Sequence, residues 1–217
     1  FTGGLLFFYF SSVDENSHIL WGKHDDELLK IYKAVDAAIG ETQRREPGAP
    51  LIVMSDHGFT TFDRAVNLNT WLLEQGLLAR TADGAIDWAN TKAYAIGLNA
   101  LYLSGAEPTD LKRRLLDWRD PKTNARVVEA VDETHPAPVN RAIAPGLIVG
   151  YAPGYRASWA TGLGEVPETE IDDNNDAWIA DHCINAADVP GVLFTNGLRV
   201  QGQSLKSLAS VILGLFP

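Results

Sequence analysis

The apolar positions of this chain fall into two patterns that alternate along it. From Leu5 to Phe10 the run LLFFYF has no polar interruption and is bounded by Gly3-Gly4 and Ser11-Ser12, as in a strand buried in a parallel sheet. The period then changes. Leu28, Ile31, Tyr32, Val35 and Ile39 recur at helical spacing, with Gly40 as the expected stop and EPGAP as the turn beyond it. Leu51 to Met54 is a second unbroken apolar run, so strand, helix and strand predict a βαβ unit with a right-handed crossover. Further on, NLNTWLLEQG reads as a short helix capped near Asn67 or Asn69 and stopped by Gly76. KAYAIGLNALYLS is strand material broken at Gly97, and PTDLKRRLLDWRD is a helix with Pro108 in its first turn. Strands are expected at RVVEAV, LIVGYA and GVLFTN, and an amphipathic helix from near Ser204. The periodicity weakens between about Leu77 and Pro138, a stretch expected to be an insertion covering one sheet edge.

Length and charge narrow the functional classes. A chain of 217 residues with 46% hydrophobic positions is long enough to bury a full core as a single domain. Twenty-eight acidic residues against 18 basic ones give a net charge of -10, which argues against nucleic acid as the main partner. An anionic substrate fits such a chain only where bound cations override its charge locally. The one cysteine, Cys183, excludes an internal disulfide. The apolar run from Gly4 to Phe10 is far short of the roughly 20 residues a membrane-spanning helix needs, and it lacks the basic flank and cleavage site of a signal peptide. With Phe1 in place of an initiator methionine and an apolar run almost at once, we expect a piece of a longer protein.

Two of the expected strands end in groups that bind metals. SSVDENSH follows the first and holds Asp14 and His18 four residues apart, while SDHG follows the second with Asp56 and His57 adjacent. Ligands in open parallel sheets bind outside the carboxyl ends of the strands. Asp14-x-x-x-His18 alone is equally compatible with a helix cap beside a packed histidine, and Asp-Gly alone is ordinary turn chemistry. Both motifs at the ends of successive buried strands point to a metal site. Neighbouring side chains on a strand point to opposite faces, so Asp56 and His57 converge only in a tight turn, which Gly58 permits. There they reach either two ions, or one ion and a group bonded to its ligands.

The order FYFSSVDENSH, IVMSDHGF, DNNDAWIADHCINAADVPGVLFTNG resembles the alkaline phosphatase superfamily, in its type I phosphodiesterase and nucleotide pyrophosphatase branch. The resemblance implies a three-layer α/β/α domain with a mostly parallel central sheet, spanning the chain and truncated at its N-terminus. It implies one divalent ion, zinc or else manganese, on Asp14, His18 and His182, and a second on Asp56, His57 and one further Asp. It implies hydrolysis of a small-molecule phosphate ester by a Thr or Ser nucleophile, which, like the further Asp, is expected upstream of Phe1. The chain by itself is therefore expected to be inactive. Thr60, Thr61, Ser158 and Thr161 do not stand where the attacking group belongs and are read as turn or strand residues.

The remaining polar residues carry weaker signals. Arg156, in YAPGYRASWATGLGE, is a candidate for a phosphate because its planar fork donates two hydrogen bonds. Asp181 either orients the neighbouring imidazole or is a solvated turn acid. Cys183 is read as a small buried hydrophobe, His24 and His135 as exposed, and Asn99 as a lesser substrate candidate. A cofactor-independent phosphoglycerate mutase shares the Asp-x-x-x-His and Asp-His-Gly motifs, but Phe59 and the chain length favour the phosphodiesterase branch. A sulfatase-like relative and a non-catalytic, metal-stabilised binding module also remain open.

Overall fold

The computed structural model describes residues 3–140, 142–198, 200 and 204–216. In chain order the elements are α1 (Ser11–Leu20), α2 (Asp25–Arg45), β1 (Leu51–Met54), β2 (Thr60–Val66), α3 (Leu68–Glu74), β3 (Ala93–Ala95), β4 (Ala100–Leu103) and α4 (Pro108–Asp117). They continue with β5 (Val128–Glu133), β6 (Leu147–Tyr151), β7 (Gly154–Ala157), α5 (Trp159–Leu163), β8 (Ile171–Asp173), β9 (Ala180–Asp181), β10 (Leu193–Asn196) and α6 (Leu205–Leu213). By contact the chain forms two compact units, one of residues up to Phe59 with those from Pro190 onward, the other Thr60–Val189.

In the first unit β1 pairs antiparallel with β10, Leu51 opposite Asn196 and Met54 opposite Leu193. The ladder runs one step further, where Ser55 donates its N–H to the Val192 carbonyl at 3.0 Å and the Val192 N–H reaches Ser55 Oγ at 3.0 Å. Gly191 makes this approach possible. A Cβ there would collide with the Ser55 carbonyl oxygen, closer than any real Cβ tolerates.

Three expectations for this unit fail for physical reasons. Leu5–Phe10 carries no ladder among the described residues, and Phe7 is 78% exposed. Apolar character alone makes no strand where no neighbour takes up the backbone N–H and C=O groups. The predicted βαβ unit is therefore not seen. SSVDENSH, placed between the expected strand and helix, lies instead in α1; Asn16 Nδ2 donates to the Ser12 carbonyl at 2.8 Å and Ser17 Oγ to that of Val13 at 2.7 Å, so polar side chains back-bond to the helix. α2 runs through Gly40 to Arg45. One interior glycine costs about 1 kcal/mol, too little to end a helix whose last turn is laced by Glu41 with Arg44 and Arg45.

The second unit holds two sheets, β7-β2-β8 with β9 also on β2, and β3-β4-β6-β5. Only β2 with β7 is parallel among the described pairs; β2–β8, β2–β9, β3–β4, β4–β6 and β5–β6 are all antiparallel. The protein is mixed α/β as expected, but its sheets are largely antiparallel, correcting the expectation of a mostly parallel one. An unbroken apolar run reports burial on both faces and says nothing of the neighbour's direction. The expected elements are otherwise present, with Gly97 at φ +76° turning β3 into β4 and Gly76 at φ +68° ending the α3 segment. The core gathers around Val66, Leu72, Leu101, Leu115, Val127 and Leu147, with Trp71 stacked on Trp118 at 5.0 Å.

Polar pins tie this core together. Buried Asn69 donates to the Ala95 carbonyl at 2.8 Å and accepts the Ala95 N–H at 2.7 Å, locking α3 to β3. Arg64 on β2 grips Asp120 with Nε at 2.8 Å and Nη2 at 3.1 Å, and Tyr155 donates to the same carboxylate at 2.9 Å. Burial alone would raise the Asp120 carboxyl, but Arg64, the Lys122 N–H and Tyr155 together bring it down to about 2.

Candidate metal centre

In the first unit, one turn of α1 sets Asp14 and His18 on the same helix face, since residues four apart are neighbours there. Asp14 Oδ1 lies 3.9 Å from His18 Nε2 and 3.8 Å from His57 Nε2, while Asp56 Oδ1 lies 3.5 Å from His57 Nε2. The turn after β1 thus returns Asp56 and His57 to the α1 face. These separations are long for hydrogen bonds, and they suit atoms converging on a cation. Two ligands about 2.1 Å from one ion at a tetrahedral angle are roughly 3.4 Å apart. Two carboxylates and two imidazoles are also the donor types that zinc and manganese accept.

Both imidazoles are oriented by their neighbours. His57 Nδ1 faces the Gly58 carbonyl at 3.1 Å, which turns Nε2 toward the Asp14 and Asp56 carboxylates. Phe59 stands edge-on to both rings, its centroid 4.9 Å from that of His18 and 5.6 Å from that of His57, and Trp21 backs it at 5.9 Å. His18 is buried, whereas the Asp56 carboxylate is 72% exposed. Phe59 was legible in the sequence as the residue after Asp-His-Gly; its work as a platform for two imidazoles was not.

His182 lies in the second unit, immediately after β9, whose residues Asp181 and Ala180 pair with Thr60 and Thr61 of β2. Asp181, His182 and Cys183 each present one donor atom, all within 4.8 Å of one another. Cys183 Sγ lies 3.7 Å from His182 Nδ1. Asp181 is buried at the centre of four donors: Oδ1 accepts the backbone N–H of His182 at 2.7 Å and of Cys183 at 3.0 Å, and Oδ2 accepts Trp178 Nε1 at 2.9 Å and Arg156 Nε at 2.8 Å. Burial works to raise this carboxyl, yet the Arg156 charge and these bonds hold it at about 2.

Arg156 is 2% exposed, its guanidinium 4.0 Å above the Trp159 ring. Nη1 donates to the Ala157 carbonyl at 2.8 Å, and Nη2 is buried with no hydrogen-bond acceptor among the described residues. Asn99 donates to the Val149 carbonyl at 2.7 Å and to that of Cys183 at 3.2 Å, tethering the loop after His182. Thr60 and Thr61 lie in β2. Ser158 caps α5 through the Thr161 N–H at 2.9 Å, and Thr161 Oγ1 donates to the Val66 carbonyl at 2.9 Å, so these hydroxyls are structural. His24 and His135 are exposed, as expected.

Residues 3–167 match the family model described as type I phosphodiesterase / nucleotide pyrophosphatase. The chain belongs to that family. As a type I phosphodiesterase relative within the alkaline phosphatase superfamily, it is at family level a phosphoester hydrolase of small-molecule phosphate esters, in a family that is typically metal-dependent. The matched span holds Asp14, His18, Asp56, His57 and Arg156 and ends before His182. Among curated proteins none matches this phosphodiesterase-family chain. No helix among the described residues is long and apolar enough to cross a membrane.

Proposed function

We propose that this chain supplies the metal-binding framework of a phosphodiesterase or nucleotide pyrophosphatase, with Asp14, His18 and His182 on one divalent ion and Asp56 and His57 on a second. The observation that carries the reading is the gathering of Asp14, His18, Asp56 and His57 at separations of 3.5–3.9 Å, together with the family match. His182 is assigned to the first ion by its order in the chain. An imidazole-rich donor set favours zinc over manganese.

When bound, two such ions neutralise charge on a phosphoryl group and make an attacking hydroxyl or water more acidic. The side chains here do the preparatory work. His57 is held with Nδ1 toward the Gly58 carbonyl and Nε2 toward the two carboxylates, so Nε2 is the atom it would offer an ion. Asp14, between two imidazoles, offsets positive charge that would otherwise repel a second ion. Phe59 restricts both rings to one orientation. A phosphate oxygen at Arg156 would pair with Nη2, the guanidinium nitrogen not bonded to protein, once the half-exposed Trp159 ring moves aside. The stretch from about 77 to 138 is proposed as an insertion or cap of an alkaline phosphatase-like domain.

The test is metal content and turnover measured on the same protein. After chelation and reloading, two zinc ions per chain are expected, falling to about one in His182→Ala. An aryl phosphodiester assayed with protein from the complete coding sequence should be hydrolysed only when metal is restored. Full metal occupancy with no turnover there would identify a metal-stabilised binding module instead, and unchanged stoichiometry in His182→Ala would refute the ligand set.

A further inference from the structure

The Asp181 carboxylate does not grip the His182 ring. Its Oδ1 is 4.0 Å from His182 Nε2, beyond hydrogen-bond reach, whereas the backbone N–H groups of His182 and Cys183 both point at that oxygen from 2.7 and 3.0 Å. Two successive amides on one carboxylate oxygen fix the main chain at residue 182, and with it the origin of the imidazole. The other oxygen is anchored from behind by Arg156 Nε and Trp178 Nε1. Arg156 is itself clamped by the Ala157 carbonyl and the Trp159 ring. Cys183 Sγ then faces Nδ1 of the ring at 3.7 Å. Asn99 holds the Cys183 carbonyl on the far side, so the peptide after His182 is fixed at both ends.

We propose that Asp181 is the positioning residue of His182, acting through the backbone: it freezes the loop so that Nε2 is presented to the metal while Nδ1 is turned to the Cys183 thiol. A carboxylate is needed because only an ionised group accepts all four donors at once. The inference rests on the reading of His182 as a metal ligand, and the two are separable by experiment.

Zinc affinity of the 217-residue chain is measured by competition with a chromophoric chelator, together with the visible bands of the cobalt-loaded protein and a thermal melt. Asp181→Asn, which replaces one acceptor by a donor, is expected to weaken zinc by about 10–100-fold and to shift the cobalt bands. A folded Asp181→Asn with unchanged affinity and bands, beside a His182→Ala that loses metal, overturns the positioning role alone. Unchanged affinity in His182→Ala overturns the ligand assignment and this inference with it. Should Asp181→Asn melt, Trp178→Phe removes one donor from Oδ2 and keeps the Arg156 pair. A smaller loss in the same direction is then expected, and no change in either readout overturns the proposal.

Discussion

Phe59 stands between two imidazoles and belongs to neither, which makes it the most economical probe of the centre. Phe59→Leu keeps an apolar side chain while removing the ring edges facing His18 and His57. The expected result is a loss of zinc affinity of about tenfold, read by chelator competition, with a thermal midpoint that barely moves. Gly191 offers a second probe from the opposite side of the same turn. Gly191→Ala drives a methyl into the Ser55 carbonyl oxygen and sets it 3.2 Å from the Asp56 carbonyl carbon, both backbone atoms that cannot swing away. We expect a cost of about 1–3 kcal/mol in unfolding free energy and weaker metal binding, since the displaced peptide carries Asp56 and His57. Neither role is written in the residue types. Asp14, His18, Asp56 and His57 were legible because carboxylate and imidazole announce their chemistry, whereas Phe59, Gly191 and the Asp181 cage act by shape or through the main chain.

Among the elements, β2 carries Arg64, whose buried pairing with Asp120 sets a pH dependence. The Asp120 carboxyl beside Arg64 sits at about 2 against an ordinary 3.8, so its contribution is complete above the ordinary value and is lost as pH falls through about 2. Asp120→Asn should flatten the acid limb of the stability curve and cost about 3 kcal/mol at neutral pH, measured by urea unfolding, because Arg64 loses its buried partner. Glu170 runs the other way. Burial, and then Glu74 at the end of α3, raise it from 4.5 to about 7, so stability is full at low pH and falls as pH rises through 7. Glu170→Gln should abolish that decline, which unfolding curves on either side of neutrality would show. Sequence periodicity located most elements, α3 with its Asn67 cap, α4 behind Pro108 and α6 after Ser204 among them. It did not yield strand direction, which depends on hydrogen bonds between segments far apart in the chain. It also gave no helix at α1, whose polar side chains bond back to the helix's own carbonyls.

The whole molecule divides its stability unevenly. The contiguous buried core lies within the second unit, while the first keeps Leu5, Phe7, Phe8, Phe194 and Leu213 exposed around a two-stranded ladder. Two-stranded pairs are marginal in water, so calorimetry should resolve two transitions, the earlier from the first unit. Zinc should raise that transition, by about 2.7 kcal/mol of stability at a hundredfold excess over Kd; a single metal-independent transition would contradict this division. The pairing of β1 with β10 has a further consequence during synthesis. Strand Leu51–Met54 leaves the ribosome long before Leu193–Asn196 exists, so the turn bearing Asp56 and His57 waits, unsecured, while the entire intervening unit is made and folds. A message cut short before the codon for Leu193 is therefore expected to leave Asp56 and His57 without the strand that holds their turn.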